Sequence, residues 1–134
     1  MIVVDTNLVA ALLLDTEATP TAERIHLRDP EWAVPPLWRS ELRSVLVQQV
    51  RARALTLAAA ESGMELAVEL LASLQQDVMS QQVLRLAVAS GCSAYDCEFV
   101  ALAQLLEVDL VTFDRALLRQ FPETAVSPEE FAAG

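Results

Sequence analysis

Asp5, Glu41, Asp96 and Asp114 are the side chains on which chemistry could be built. His26 is the only histidine, so zinc sites resting on several imidazoles lack their ligands, and a serine or cysteine triad lacks its base. Cys92 and Cys97 match neither a disulfide framework nor a zinc-binding pair, and read as buried free thiols. Any metal would therefore be held by oxygen. Gathering several carboxylates in one buried place is costly unless a cation neutralises them. Mg²⁺ or Mn²⁺ suits such a cluster: it prefers oxygen, keeps several waters, and takes only one or two carboxylates directly. The chemistry that follows is metal-assisted hydrolysis of a phosphodiester.

Each acid must be positioned by an element, and each has a plainer reading beside the chemical one. Ile2-Val3-Val4 is a β-branched run, Asp5-Thr6-Asn7 are helix-capping types, and Leu8–Leu14 is apolar, which reads strand, cap, helix. Leu110-Val111-Thr112 reads as a buried strand between Asp109 and Asp114. Ligands in open α/β sheets gather beyond the carboxyl ends of strands, where Asp5 and Asp114 both fall. A helix cap for Asp5 and a turn acid for Asp114 explain them equally. Glu41 falls at the edge of the helical stripe Trp38, Leu42, Val45, Leu46 and is expected to face inward, with Arg39 and Arg43 on the opposite side. A surface glutamate at the margin of the stripe is the alternative. Asp96 is in the first turn of a helix from Ala94 to about Leu106, on the face of Phe99, Val100 and Ala103, and is expected to be buried. Ser93-x-x-Asp96 also reads as a capping box.

The remaining elements are helices joined by short strands. Thr19-Pro20 opens a helix to about Arg28, Trp32–Val34 is a short strand, Pro35-Pro36 opens a helix to about Arg53, and Thr56–Leu74 gives another that pairs with it as a hairpin. Val83–Ala89 and Ala116–Phe121 read as helices, Ala125-Val126 as a last strand, and Ser127-Pro128 as a helix start. Strands alternating with helices imply a parallel α/β sheet. A length of 134 residues with no repeat or linker predicts a single domain over 1–134.

Composition sets two tensions. The hydrophobic share is 54% and mean hydropathy is +0.36, high for a chain whose surface must be wetted, so an interface is expected, placed on the helices between Pro35 and Leu74. No run approaches the roughly 18 apolar residues of a membrane span, and no basic segment precedes an apolar one at the amino terminus, so no membrane association and a cytoplasmic location are expected. Net charge is −10, against the basic footprint usual for nucleic-acid partners. There is no lysine, but Arg24, Arg28, Arg39, Arg43, Arg51 and Arg53 fall in a stretch with only Asp29, Glu31 and Glu41 as acids, leaving room for local positive potential. Arg39, Arg43, Arg51 and Arg53 are candidate phosphate contacts, or simply solvated surface.

Taken in order, Ile2-Val3-Val4-Asp5-Thr6-Asn7, Ser40-Glu41-Leu42, Tyr95-Asp96-Cys97-Glu98-Phe99-Val100-Ala101-Leu102-Ala103 and Leu110-Val111-Thr112-Phe113-Asp114 resemble the PIN-domain family over nearly the whole chain. The size resembles its VapC-type toxins, from type II toxin–antitoxin systems. The resemblance implies a three-layer α/β/α fold with a short central parallel sheet surrounded by helices. It implies a Mg²⁺- or Mn²⁺-dependent endoribonuclease, usually dimeric, paired with a small antitoxin whose carboxyl-terminal segment covers the active site. On this sequence it makes Asp5 and Asp96 the direct metal ligands, Glu41 and Asp114 water-mediated or water-positioning residues, and Thr6 and Thr112 supporting hydroxyls. Cys97 stands where a small residue such as alanine is common. A phosphoaspartate enzyme would want a lysine, which is absent, and a haloacid-dehalogenase pattern would want an aspartate where Asn7 stands. The main rival is a PIN-like binding or regulatory module without catalysis, which the low pI favours and an inward Glu41 disfavours.

Overall fold

The structure, a computed structural model, describes residues 1–134. The elements run β1 (Ile2–Val4), α1 (Thr6–Leu13), α2 (Thr19–Arg28), β2 (Trp32–Ala33), α3 (Trp38–Arg51), α4 (Leu57–Leu71), α5 (Ser80–Ser90), α6 (Ala94–Leu106), β3 (Leu110–Val111), α7 (Arg115–Gln120), β4 (Ala125–Val126) and α8 (Pro128–Ala133), with a 3-10 turn at Ala72–Leu74. All strand pairings are parallel and the order is β2-β1-β3-β4.

The pleat sorts the core into two layers. Ile2, Val4, Trp32, Val34 and Val111 face one side and pack with Leu8, Ile25, Trp38, Leu42 and Leu71 from α1 to α4. Val3, Ala33, Leu110 and Ala125 face the other and pack with Phe99, Val100, Leu102 and Ala103 of α6 and Leu117 of α7. Successive side chains of a strand point to opposite faces, so a β-branched run as short as Ile2-Val3-Val4 can feed both. The result is the expected α/β/α sandwich around a short parallel sheet.

Several boundaries differ from the sequence reading, each for a local reason. α1 begins at Thr6 rather than Leu8, because Asp5 is its cap and accepts from the Leu8 N–H at 2.9 Å. α3 begins at Trp38: Pro35 and Pro36 lack the N–H that would bond within a helix, and they form the approach turn instead. The helix from Thr56 stops at Leu71, after which the chain tightens into the 3-10 turn and Val34 bridges to Gln75. α5 is longer than expected, running from Ser80 to Ser90, and Gly91 ends it with a φ of 78°, in the left-handed region that suits glycine. Arg39 is not free surface: its Nε donates to Gln75 Oε1 at 3.2 Å, and its guanidinium lies over Trp38, 5.4 Å from the ring centroid. Exposed apolar side chains do occur between Pro35 and Leu74, at Val47, Leu57 and Leu66, but Met79, Leu84, Val88 and Tyr95, in or beside α5 and α6, are exposed as well. No single helix is long and apolar enough to cross a membrane.

Candidate active site

Chain order and sheet order reverse direction between β1 and β3: from β1 the chain first goes to β2 on one side, and later returns through β3 on the other. Helices leaving two such strands diverge to opposite layers and open a crevice beyond their carboxyl ends. A cleft of about 250 Å³ lies there, lined by Asp5, Thr6, Glu41, Asp96, Thr112 and Asp114 among others. All four acids picked out in the sequence, with both supporting threonines, reach this one place. Arg39, Arg43, Arg51 and Arg53 do not line it.

The strand ends build the first half of the site. Val4 and Val111 are register partners, so Asp5 and Thr112 leave the sheet side by side. Asp5 Oδ2 accepts from Thr112 Oγ1 at 2.7 Å and from the Phe113 N–H at 2.9 Å, while Oδ1 caps α1. Thr112, fully buried, also accepts from the Asp114 N–H at 3.0 Å, and Asp114 Oδ1 caps α7 through the Leu117 N–H at 2.9 Å. One hydroxyl thus fixes two acids relative to each other.

Helix starts build the second half. Glu41 is in the first turn of α3, half-buried, and its Oε1 accepts from Thr6 Oγ1 at 2.8 Å. Asp96 is in the first turn of α6, its N–H bonded to Ser93 Oγ at 3.0 Å. It is half-buried rather than buried, because it stands at the cleft wall ahead of Phe99, which is buried behind it. The capping readings of Asp5 and Asp114 and the cleft reading are therefore both true: the same carboxylates close helix ends and line the crevice. All four acids sit at or within one turn of a helix amino end, where partial positive charge favours anions.

That help does not remove the strain of gathering them. Burial pushes the Asp5 carboxyl above its ordinary range, against the pull of Thr112, Leu8 and Phe113, with Asp114 adding repulsion. Burial also raises Glu41, opposed by Thr6 and reinforced by the charges of Asp96, Asp5 and Glu98. Asp96 is raised by burial, with Ser93 offsetting and Asp114 adding to it. Three carboxyls held reluctant to ionise in one crevice are the electrostatic pattern a bound cation relieves.

The residues present fit such an ion. The donors are all oxygen, as a hard cation requires, and Asp5, Glu41, Asp96 and Asp114 all line the one cleft. No three of the His, Cys, Asp and Glu side chains stand close enough together to hold an ion among them as they are. Mg²⁺ and Mn²⁺ take only one or two carboxylates directly and fill the rest of their shell with water.

Three residues in or beside the site were not singled out in the sequence as such. Asn7 and Ser44 line the cleft. Ser44 stands one turn beyond Glu41, a spacing that would have pointed to it; Asn7 read only as a capping type. Glu98 is half-buried, raised by burial, and close enough to add its charge to Glu41. Being two residues from Asp96, it projects to a different side of α6, and no periodicity marked it.

A direct comparison with curated proteins returns no match. Among solved structures, PAE2754 from Pyrobaculum aerophilum aligns with a TM-score of 0.79 at 22% identity, over 98% of this chain and 92% of that one. A toxin–antitoxin complex from Klebsiella pneumoniae aligns with a TM-score of 0.71 at 17% identity, over 96% of this chain and 98% of that one. At such identities these likenesses speak for the fold. The PIN domain family matches residues 2–123, which include every acid of the cleft. This chain belongs to the PIN domain family.

Proposed function

We propose that this protein is a VapC-like, metal-dependent endoribonuclease that hydrolyses RNA phosphodiester bonds and is held in check by a small antitoxin. One observation carries the reading: four acids far apart in the chain line a single crevice at the point where the sheet changes direction. Family membership supports nuclease, hydrolytic activity. The similar fold of a toxin–antitoxin complex supports a protein partner. A single cytoplasmic domain acting as a homodimer completes the proposal.

In this reading Asp5 and Asp96 would hold Mg²⁺ or Mn²⁺, and Glu41 and Asp114 would position water for the reaction. The cation supplies Lewis acidity and offsets the negative wall that the RNA backbone must approach. The chain's own part is positional. Thr112 fixes the direction of Asp5 by donating to Oδ2, and Thr6 does the same for Glu41 through Oε1. Glu41 Oε2 is left to accept a proton from an attacking water, and its raised proton affinity suits it to that role.

The test is cleavage of RNA by purified wild type, Asp5→Asn and Asp96→Asn, with Mg²⁺ or Mn²⁺ and with chelator. Cleavage should need both the metal and the intact acids; equal cleavage by all three proteins would assign the activity to a contaminant. The rival non-catalytic module draws on the net charge of −10 and on the open ligand arrangement. It predicts no Mn²⁺-dependent rise in melting temperature, whereas a cation that binds only the folded state must raise it.

A further inference from the structure

The loop between α5 and α6 sets two thiols around the start of the helix that carries Asp96. Ser93 caps α6, so Cys92 is the residue just before the cap and Cys97 the fourth residue inside the helix. Those positions are the pair that pack on each other across a helix start in a hydrophobic staple. Here both members are cysteines, and both are free. Ser90 Oγ ties them together: it accepts from the Cys92 N–H at 3.1 Å and lies 3.9 Å from Cys97 Sγ. Cys92 also packs on the small apolar cluster of Val83, Cys97 and Ala101. Cys97 is fully buried, while Cys92 keeps accessible surface. Neither has a part in phosphodiester hydrolysis.

We propose that Cys92 and Cys97 are a redox-sensitive staple, closing to a disulfide that shifts Asp96 and weakens cation binding in the cleft. The regulatory half of this inference rests on the reading of Asp96 as a metal ligand; the disulfide itself does not. An S–S bond is about 2.05 Å, well inside the contact distance of two packed thiols, so closure draws the loop and the first turn of α6 towards each other. Asp96 is the neighbour of Cys97 and moves with it. A displacement near 1 Å in a positioned group can cost roughly a hundredfold in rate.

The oxidant is a hydroperoxide. Its distal oxygen transfers to the accessible Cys92 sulfur as the O–O bond breaks, giving a sulfenic acid and an alcohol, or water from hydrogen peroxide. Cys97 sulfur then attacks the Cys92 sulfur, the S–O bond breaks, and the hydroxyl leaves as water with the Cys97 proton. Two thiols lose two electrons, and the peroxide gains them.

The experiment treats the reduced full chain with hydrogen peroxide and reads intact mass, free thiols and the Mn²⁺-induced shift in melting temperature. A mass loss of about 2 Da, disappearance of both thiols, and a Mn²⁺ shift cut by roughly half or more are expected, all reversed by dithiothreitol. Cys92→Ser, at the more exposed position, should fold normally and keep its Mn²⁺ shift after the same treatment. Persistence of both thiols, or gain of oxygen without loss of hydrogen, overturns the disulfide. A disulfide that leaves the Mn²⁺ shift unchanged overturns its coupling to the site. If the reduced protein shows no Mn²⁺ shift at all, the metal centre fails and takes the coupling with it, while the mass and thiol readings still decide the staple.

Discussion

Both ends of the sheet carry four acids, and only one end makes a site of them. At the carboxyl end Asp5, Glu41, Asp96 and Asp114 share a cleft of about 250 Å³; at the amino end Asp29, Glu107, Asp109 and Glu123 border a hollow of about 430 Å³. The difference is the direction of the backbone around them. Helices α1, α3, α6 and α7 start at the carboxyl end, so N–H groups and partial positive charge meet the carboxylates there. At the amino end α2 and α6 finish, at Asp29 and Glu107, presenting carbonyls instead. Glu107, Asp109 and Glu123 accordingly stay exposed, and Asp29 is paired with the amino-terminal ammonium at 2.8 Å. Counting acids therefore says little; the polarity of the helices around them says where they can be buried.

The sharpest way to break this comparison is to neutralise one acid at each end. Asp96→Asn is expected to lower RNA cleavage by about a hundredfold or more, since even outer-shell partners of a metal site are worth roughly 10–100-fold. Asp109→Asn at the other end should leave cleavage unchanged. Steady-state assays at saturating Mn²⁺ decide it, and equal losses from both changes would show that overall charge, not the cleft, governs activity.

Thr112→Val probes the same contrast through the fold. It keeps shape and removes the hydroxyl that serves both Asp5 and the Asp114 N–H in a fully buried position. Leaving buried partners unsatisfied costs about 1–3 kcal/mol, which urea denaturation would read as a lower midpoint. A midpoint equal to wild type would mean that the two acids are held by something other than this hydroxyl.

pH probes the strain at the carboxyl end. Asp5, Glu41 and Asp96 bind protons more readily in the folded chain than in the unfolded one, because burial raises them. Their favourable contribution is therefore fully present below the unfolded carboxylate range and is lost as pH rises through the raised folded values. Without divalent metal, wild type should lose melting temperature relative to Asp96→Asn as pH rises through that window. Adding Mn²⁺ should reverse the trend, since the ion binds the ionised form. Parallel curves for the two proteins would remove the case for a strained Asp96.

Much of this was legible in the sequence because the site lies where pattern is strongest. Ile2–Val4 and Leu110–Val111 announce strands, and the acids that follow them must emerge at the same rim of a parallel sheet. Glu41 was readable from its place on a helical stripe. Less readable were features set by tertiary contact. Arg39 looked solvated by helical angle, yet Gln75, from a turn far along the chain, captures it. Glu98 joins the electrostatics of Glu41 only because α3 and α6 meet at the cleft. The Asp96 face looked buried, and a crevice that no periodicity reports leaves it half open.

The smallest expected effect lies at the amino end. The ion pair of Asp29 with the amino terminus is partly exposed, and such pairs contribute about 0–1 kcal/mol. Asp29 Oδ1 also accepts from the Glu31 N–H at 3.2 Å, a bond that an asparagine oxygen can keep. Asp29→Asn should therefore move the denaturation midpoint little, and by less at high salt, where the remaining charge attraction is screened. Its RNA cleavage and Mn²⁺ shift should equal those of wild type. A large, salt-insensitive loss would mean that the amino end is as tightly organised as the cleft, and helix polarity would no longer account for which acids the molecule can bury.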